Sequence, residues 1–177
     1  MKFTKGYWMN LPGVTNTDAV QVREVKVEND RVYLYTVPYH ADMRAMGGPL
    51  LEMYISSPQP DIIRTEAYHF MGSNQKMPAF ELNDAHCALE VENTETTVTI
   101  KSGNTKLVIG KNPCSFDYYY KDKKLTSVGN RFGSAMISTV STPDGNYMRA
   151  QMDLDIGEKV YGLGERFTPY VKNGQTV

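Results

Sequence analysis

The sequence predicts an all-β domain, an antiparallel β-sandwich of two packed sheets with little helix, and three observations carry that reading. Turn-forming residues recur about every ten positions. Between them apolar and polar residues alternate, the period-two signature of strands with one buried face. Helical periodicity is nearly absent, so the apolar faces have only each other to cover them, which two face-to-face sheets achieve.

Taken in order, Val25 and Val27 share one strand face, Glu28-Asn29-Asp30 turns the chain, and Val32 and Leu34 carry the apolar face back while Tyr33 and Tyr35 occupy the other. His40 to Met46 is the one place for a short helical turn, and Gly47-Gly48-Pro49 stops it. Strands follow at Leu51 to Ser56 and Ile62 to Ala67, separated by the loop Ser57-Pro58-Gln59-Pro60-Asp61. Met71-Gly72-Ser73-Asn74 is a second loop. Val98 and Ile100 lead into Ser102-Gly103-Asn104, whose Gly and Asn tolerate the positive φ of a tight turn, and Leu107 and Ile109 return the pattern as a second hairpin. Ser115 to Tyr120, Tyr147 to Leu154 and Val160 to Leu163 complete the strands, with Pro143-Asp144-Gly145-Asn146 as a loop before the penultimate one. No repeat, linker or low-complexity tract interrupts residues 1–177, so one domain is expected.

A chain of 177 residues buries roughly 70% of the surface its unfolded state exposes, enough to stand without a disulfide staple. Cys87 and Cys114 are the only cysteines and read as small buried hydrophobes kept reduced. Nineteen basic side chains face twenty acidic ones, a net charge of −1 with no basic run. This argues against nucleic acid and anionic membrane surfaces as partners. The N-terminus lacks the apolar run of about 7–15 residues of an export signal, and no stretch approaches the ~20 apolar residues of a membrane span. A cytoplasmic location is expected.

The most specific stretch is Tyr161-Gly162-Leu163-Gly164-Glu165-Arg166-Phe167, followed by Val171-Lys172-Asn173-Gly174-Gln175-Thr176-Val177. It resembles the end of the N-terminal domain of glycoside hydrolase family 31, the α-glucosidases and α-xylosidases, and the bacterial α-xylosidase branch in particular. The Gly6-Tyr7-Trp8 opening agrees. The resemblance implies a mutarotase-like β-sandwich, with the two catalytic aspartates on a (β/α)₈ barrel beyond Val177. The chain then reads as a non-catalytic N-terminal domain, truncated before that barrel, which supports the barrel and the substrate-pocket loop. No catalytic residue, metal or cofactor is implied within it. The implied partners are the barrel of the same polypeptide, an oligosaccharide substrate in the parent, and further copies of the chain, since a face shaped for a barrel is apolar when uncovered.

Gly162, Gly164, Glu165, Arg166 and Phe167 are the expected structural motif at the barrel junction. Gly162-Leu163-Gly164 fails as a phosphate loop because Phe167 stands where the last glycine is required and no helix pattern follows. The two glycines read instead as a place where a strand end passes close to another backbone. Glu165 and Arg166 point to opposite faces of an extended chain, so each is expected to find its own hydrogen-bonding partner and fix the crossing.

Other constellations have plainer readings. His40, His69 and His86 lack metal-site spacing. Asp153 and Asp155 share a strand face near Glu158, an acidic rim more consistent with solvation than with a glycosidase carboxylate pair. Twelve tyrosines and ten methionines fit sheet packing and an interface. Two alternatives differ in class. A stand-alone carbohydrate-binding module would use an exposed aromatic platform of tyrosines or Trp8. A mutarotase would need His69 or His86 to converge with Glu81 or Glu66.

Overall fold

The structure, a computed structural model, describes residues 3–5, 9–38, 51–69, 86–129 and 137–175. Within them the chain forms β1 (Thr4–Lys5), β2 (Met9–Asn10), β3 (Thr15–Asp18), β4 (Gln21–Val27), β5 (Arg31–Val37), β6 (Leu51–Ser56) and β7 (Arg64–Tyr68). It continues with β8 (Glu90–Asn93), β9 (Thr97–Ser102), β10 (Thr105–Lys111), β11 (Cys114–Tyr120), β12 (Lys123–Val128), β13 (Ile137–Thr142) and β14 (Gly145–Ala150). All pairings are antiparallel. The predicted turn at His40 to Met46, the Met71–Asn74 loop and the Gly6–Trp8 opening lie outside the described residues.

The fold is the expected all-β sandwich. A four-stranded sheet, β4-β5-β6-β7, faces a five-stranded sheet, β12-β11-β10-β9-β8. A three-stranded sheet, β14-β13-β3, and the β1-β2 ribbon add to this pair. The alternation read from sequence puts Val32, Leu34, Met53 and Ile55 on one inner face and Val98, Ile100, Leu107, Ile109 and Phe116 on the other, all buried in one cluster. Each such side chain contributes about 1.5–3 kcal/mol on leaving water. That cluster holds the sheets together.

The two-residue joint Ala19-Val20 ties three sheets at one point. Ala19 N–H donates to Ile137 O (2.8 Å), Val20 N–H to Val37 O (2.8 Å), and Val20 O accepts from Cys114 N–H (2.7 Å). A second tie lies at the opposite loops. Asp61, at φ +65°, aims its carboxylate at Asn104, accepting from the backbone N–H with Oδ1 and from Nδ2 with Oδ2, and its carbonyl accepts from Thr105 Oγ1 (2.6 Å). The loop before β7 is thereby latched to the β9–β10 turn. Gly103, at φ +57°, leaves room for that carboxylate, since a Cβ there would lie 2.3 Å from Asp61 Oδ1. Beside the latch Ser57 and Ser102 share a buried hydroxyl pair at 2.7 Å.

Two expected strands differ. β14 stops at Ala150 rather than Leu154, and no strand forms at Val160 to Leu163. Gly162, Leu163 and Gly164 sit at φ +102°, +68° and +76°, and three successive positive φ values are incompatible with extended pairing. Among the described residues, no helix is long and apolar enough to cross a membrane.

Candidate functional site

Past β14 the chain runs beside β12 without joining its ladder fully. Asp153 N–H donates to Ser127 O (2.9 Å), and Asp153 O accepts from Thr126 Oγ1 (2.8 Å). A turn follows in which carboxylates serve the backbone: Asp155 Oδ1 accepts from Ile156 N–H (2.7 Å) and Glu158 Oε2 from Asp155 N–H (2.8 Å). The acidic rim expected on a strand is therefore not a strand face, because Asp155 and Glu158 cap a turn centred on Gly157 at φ +80°.

Residues 158–173 then close on themselves. Asn173 acts as a clasp, its Oδ1 accepting from Val160 N–H (2.8 Å) while its Nδ2 donates to Glu158 O (2.9 Å). Lys172 N–H donates to Val160 O (2.8 Å). The Lys172 side chain turns inward and is buried, its Nζ bonded to Thr168 Oγ1 (2.5 Å) and Pro169 O (2.9 Å). Tyr161 and Tyr170 meet across the neck, ring centroids 5.1 Å apart.

Gly162, Gly164, Glu165, Arg166 and Phe167 form the apex of this loop. Among the described residues no atom lies within 4 Å of a Cβ built at Gly162 or Gly164, so here the glycines supply positive φ rather than close backbone passage. Of the two charged residues expected to find hydrogen-bonding partners, Arg166 finds one within the loop. Both are exposed, and Arg166 Nε donates to Leu163 O (3.0 Å), bracing the apex. Phe167 stands fully in solvent at 112% relative exposure.

The segment also walls an apolar cleft of about 550 Å³ where the sheets diverge. Ile63, Leu125, Val128, Ile137, Met148 and Met152 are among the residues that line it. Thr65 and Tyr118 share a hydroxyl hydrogen bond of 2.9 Å at its wall, and burial pushes the Tyr118 phenol up. Arg149 is its cation, reaching Asp18 Oδ1 at 3.5 Å with a buried Nε that has no partner among the described residues. The sequence offered no local signal for this cleft, since its walls come from β7, β11, β12, β13 and β14.

The remaining candidates are not brought together as catalysts. His86 faces Asp30 (3.6 Å), His69 is exposed, and Glu66 is engaged by Arg64 (3.3 Å) and Tyr68 OH (3.1 Å). His40, Glu81 and Trp8 lie outside the described residues. Tyr33, Tyr54 and Tyr68 form a row on the outer face of the four-stranded sheet, centroids 5.4 and 6.1 Å apart, with Arg31 over Tyr54 at 4.7 Å. Burial, then the hydrogen bond to Glu52, pushes the Tyr33 phenol up to about 12. These rings lie against one another, and the Tyr33 and Tyr68 hydroxyls donate to Glu52 and Glu66, which is cross-strand packing. Among the described residues, no group of three His, Cys, Asp or Glu could hold a metal ion. Cys87 and Cys114 are free, and burial pushes the Cys114 thiol up to about 12.

Comparison with known proteins decides the family. Residues 52–177 match the glycosyl hydrolase 31 N-terminal galactose mutarotase-like domain. The chain belongs to that family. It is 29% identical over its whole length to the α-xylosidase XylQ of Lactiplantibacillus pentosus and likewise to an α-xylosidase of Emericella nidulans, of which it spans 23% and 25%. It thus corresponds to about a quarter of either relative. Among solved structures, the cycloalternan-forming enzyme of Listeria monocytogenes superposes on 93% of this chain and 14% of its own, with TM-score 0.66 and 19% identity. The Flavobacterium johnsoniae GH31 dextranase does so over 89% and 18%, with TM-score 0.66 and 15% identity. At such identities the likeness is one of fold.

Proposed function

We propose that this chain is the non-catalytic N-terminal domain of a retaining α-glycosidase, an α-xylosidase or α-glucosidase acting on oligosaccharides. The observation that carries this is full-length similarity to two α-xylosidases, of each of which the chain spans only about a quarter. The domain's work in this reading is mechanical. The braced loop 158–173 sits at the junction with a following catalytic barrel, where Gly162, Gly164, Glu165, Arg166 and Phe167 set the crossing and help hold the substrate-pocket loop. Hydrolysis belongs to the two aspartates of that barrel, in a double displacement that asks no cofactor of this domain. Two free thiols fit a reducing compartment, which makes the cytoplasm the proposed location.

The test is to assay this chain and the polypeptide encoded by the complete gene side by side on p-nitrophenyl α-xyloside and α-glucoside. Turnover is expected from the longer polypeptide, with preference for the xyloside, and none from residues 1–177. Turnover by the 177-residue chain alone would overturn the reading.

A further inference from the structure

We infer that Asn173-Gly174 is a covalent modification site, at which spontaneous deamidation opens the clasp of loop 158–173 irreversibly. The inference goes beyond the proposed glycosidase role and stands on three observations. The first is the sequence. Asparagine is among the thermolabile residues, and Asn173 is the only one followed by glycine. In this pair the glycine nitrogen attacks the asparagine side-chain carbonyl carbon. A bond forms between Gly174 N and Asn173 Cγ, the Cγ–Nδ2 bond breaks, and Nδ2 departs as ammonia with the proton of Gly174 N–H. Water then opens the cyclic imide at either carbonyl, giving aspartate or isoaspartate. Water is the only co-reactant, and a nucleophilic residue without a Cβ meets the least crowding.

The second is how the pair is held. Asn173 and Gly174 are both exposed. Among the described residues no hydrogen bond occupies Gly174 N–H, and no atom lies within 4 Å of a Cβ built at Gly174, whose φ is +70°. The attacking nitrogen is therefore neither tied to an acceptor nor shielded, although Gln175 N–H donating to Lys172 O (3.0 Å) fixes the turn around it. Asn104, exposed in the β9–β10 turn, is the comparison. It precedes Thr105, whose branched Cβ crowds the nitrogen and whose hydroxyl donates to Asp61 O.

The third is the work of the departing group. Nδ2 donates to Glu158 O (2.9 Å), while Oδ1 accepts from Val160 N–H (2.8 Å). These bonds hold the amide in the closed loop, so reaction proceeds through local openings of a segment outside the core. Deamidation keeps an acceptor for Val160 but destroys the donor to Glu158, setting an anionic oxygen against a carbonyl oxygen. Isoaspartate also routes the main chain through an added methylene and displaces what remains of the clasp. Lys172 N–H to Val160 O and the Tyr161–Tyr170 contact are then left to hold the neck.

The experiment ages the folded chain in neutral buffer beside a sample kept unfolded in urea, with intact mass, peptide mapping and isoaspartyl methyltransferase labelling as readouts. Acid is expected to accumulate at Asn173, more slowly than in the unfolded sample yet ahead of every other asparagine of the folded chain. The acidic product, separated by ion exchange, is expected to be cut by trypsin at Arg166 several-fold faster than the unreacted chain, with the global urea midpoint barely moved. Asn173→Asp should show the fast cleavage from the outset. Asn173→Gln, whose imide needs a larger ring, should gain no acid at this position. An Asn173 amide still intact in the folded chain when the unfolded sample has fully reacted would overturn the inference, as would Asn104 reacting first. So would an acidic product and an Asn173→Asp chain that are cut no faster than the unreacted chain. No glycoside enters these readouts, so failure of the activity assay and failure of this site are separate results.

Discussion

Replacing Gly103 by alanine tests whether the Asp61 latch closes the sandwich at the loops before β7. Two costs can be worked from the geometry. Gly103 sits at φ +57°, a left-handed conformation that costs a Cβ-bearing residue about 1 kcal/mol or somewhat more. The added Cβ would lie 2.3 Å from Asp61 Oδ1 and 3.3 Å from Asp61 N, so the carboxylate must swing away and release the Asn104 N–H. A hydrogen bond to a charged group contributes about 1.5–3 kcal/mol, and the lower end applies here because the turn is exposed. The sum is about 2.5 kcal/mol, read as a lower urea midpoint at unchanged slope. The cause is isolated by repeating Gly103→Ala in an Asp61→Gly background. There no carboxylate remains to displace, and only the backbone cost of about 1 kcal/mol should persist, leaving a coupling of roughly 1.5 kcal/mol between the positions. A cost below about 0.5 kcal/mol, or the same cost in both backgrounds, would refute the reasoning. Because Ile63 and Thr65 follow Asp61 and wall the cleft, the latch also sets where that wall stands.

Four further outcomes are expected. A thiol reagent at neutral pH should label Cys87, which is half-buried, while Cys114 waits for unfolding; equal native rates would contradict the burial of Cys114. The same burial raises the Cys114 pKa from 9.0 to about 12. The folded state therefore keeps a proton that the unfolded state loses between those values, and stability falls as pH rises from about 9 by up to ~1.4 kcal/mol per pH unit from this group. A Cys114→Ala variant, though less stable overall, should show a shallower alkaline decline in urea titrations. Residues 1–177 alone should self-associate at high concentration in sedimentation runs, and Leu125→Asp/Met152→Asp should weaken that; a wild-type chain that stays monomeric would count against the apolar face. Asn173→Ala removes the clasp of loop 158–173, so trypsin should cut at Arg166 several-fold faster while the global urea midpoint barely moves, since the loop lies outside the core. An unchanged cleavage rate would show that Lys172 alone closes the loop.

Alternation exposed the strands that bury one face. The β4–β5 and β9–β10 hairpins, β6 and β11 stand where valine, leucine, isoleucine and phenylalanine alternate with polar residues. Strands with another relation to water left no such trace. β13 lies between β14 and β3 and is buried over Ile137 to Val140 without alternation, and β8 is an edge strand reading Glu-Val-Glu-Asn. β12 begins at two exposed lysines after a turn whose residues Lys121 and Asp122 adopt positive φ without glycine, so the usual hairpin signal is missing. The glycines of the tail were legible as special but not as to why, since positive φ and close backbone approach call for the same residue. The cleft was illegible because adjacency of Ile63, Leu125 and Met148 exists only after three sheets meet.

The residues that identify the family have the least to do inside this chain. Loop 158–173 keeps its shape through Asn173 and the buried Lys172, whereas the apex they support holds glycines facing open space and a phenylalanine wholly in water. A phenyl ring at that position lowers no energy in the isolated domain, and burying one elsewhere would contribute up to about 3 kcal/mol. Arg149 departs from local need in the same sense, its buried Nε meeting no acceptor among the described residues. Local consistency governs the core, where the buried aliphatic side chains of the four- and five-stranded sheets form one cluster, whereas Leu154, Ile156, Leu163, Phe167 and Tyr170 stand exposed beyond Ala150. Departures of that kind are expected where a surface answers to something outside the domain.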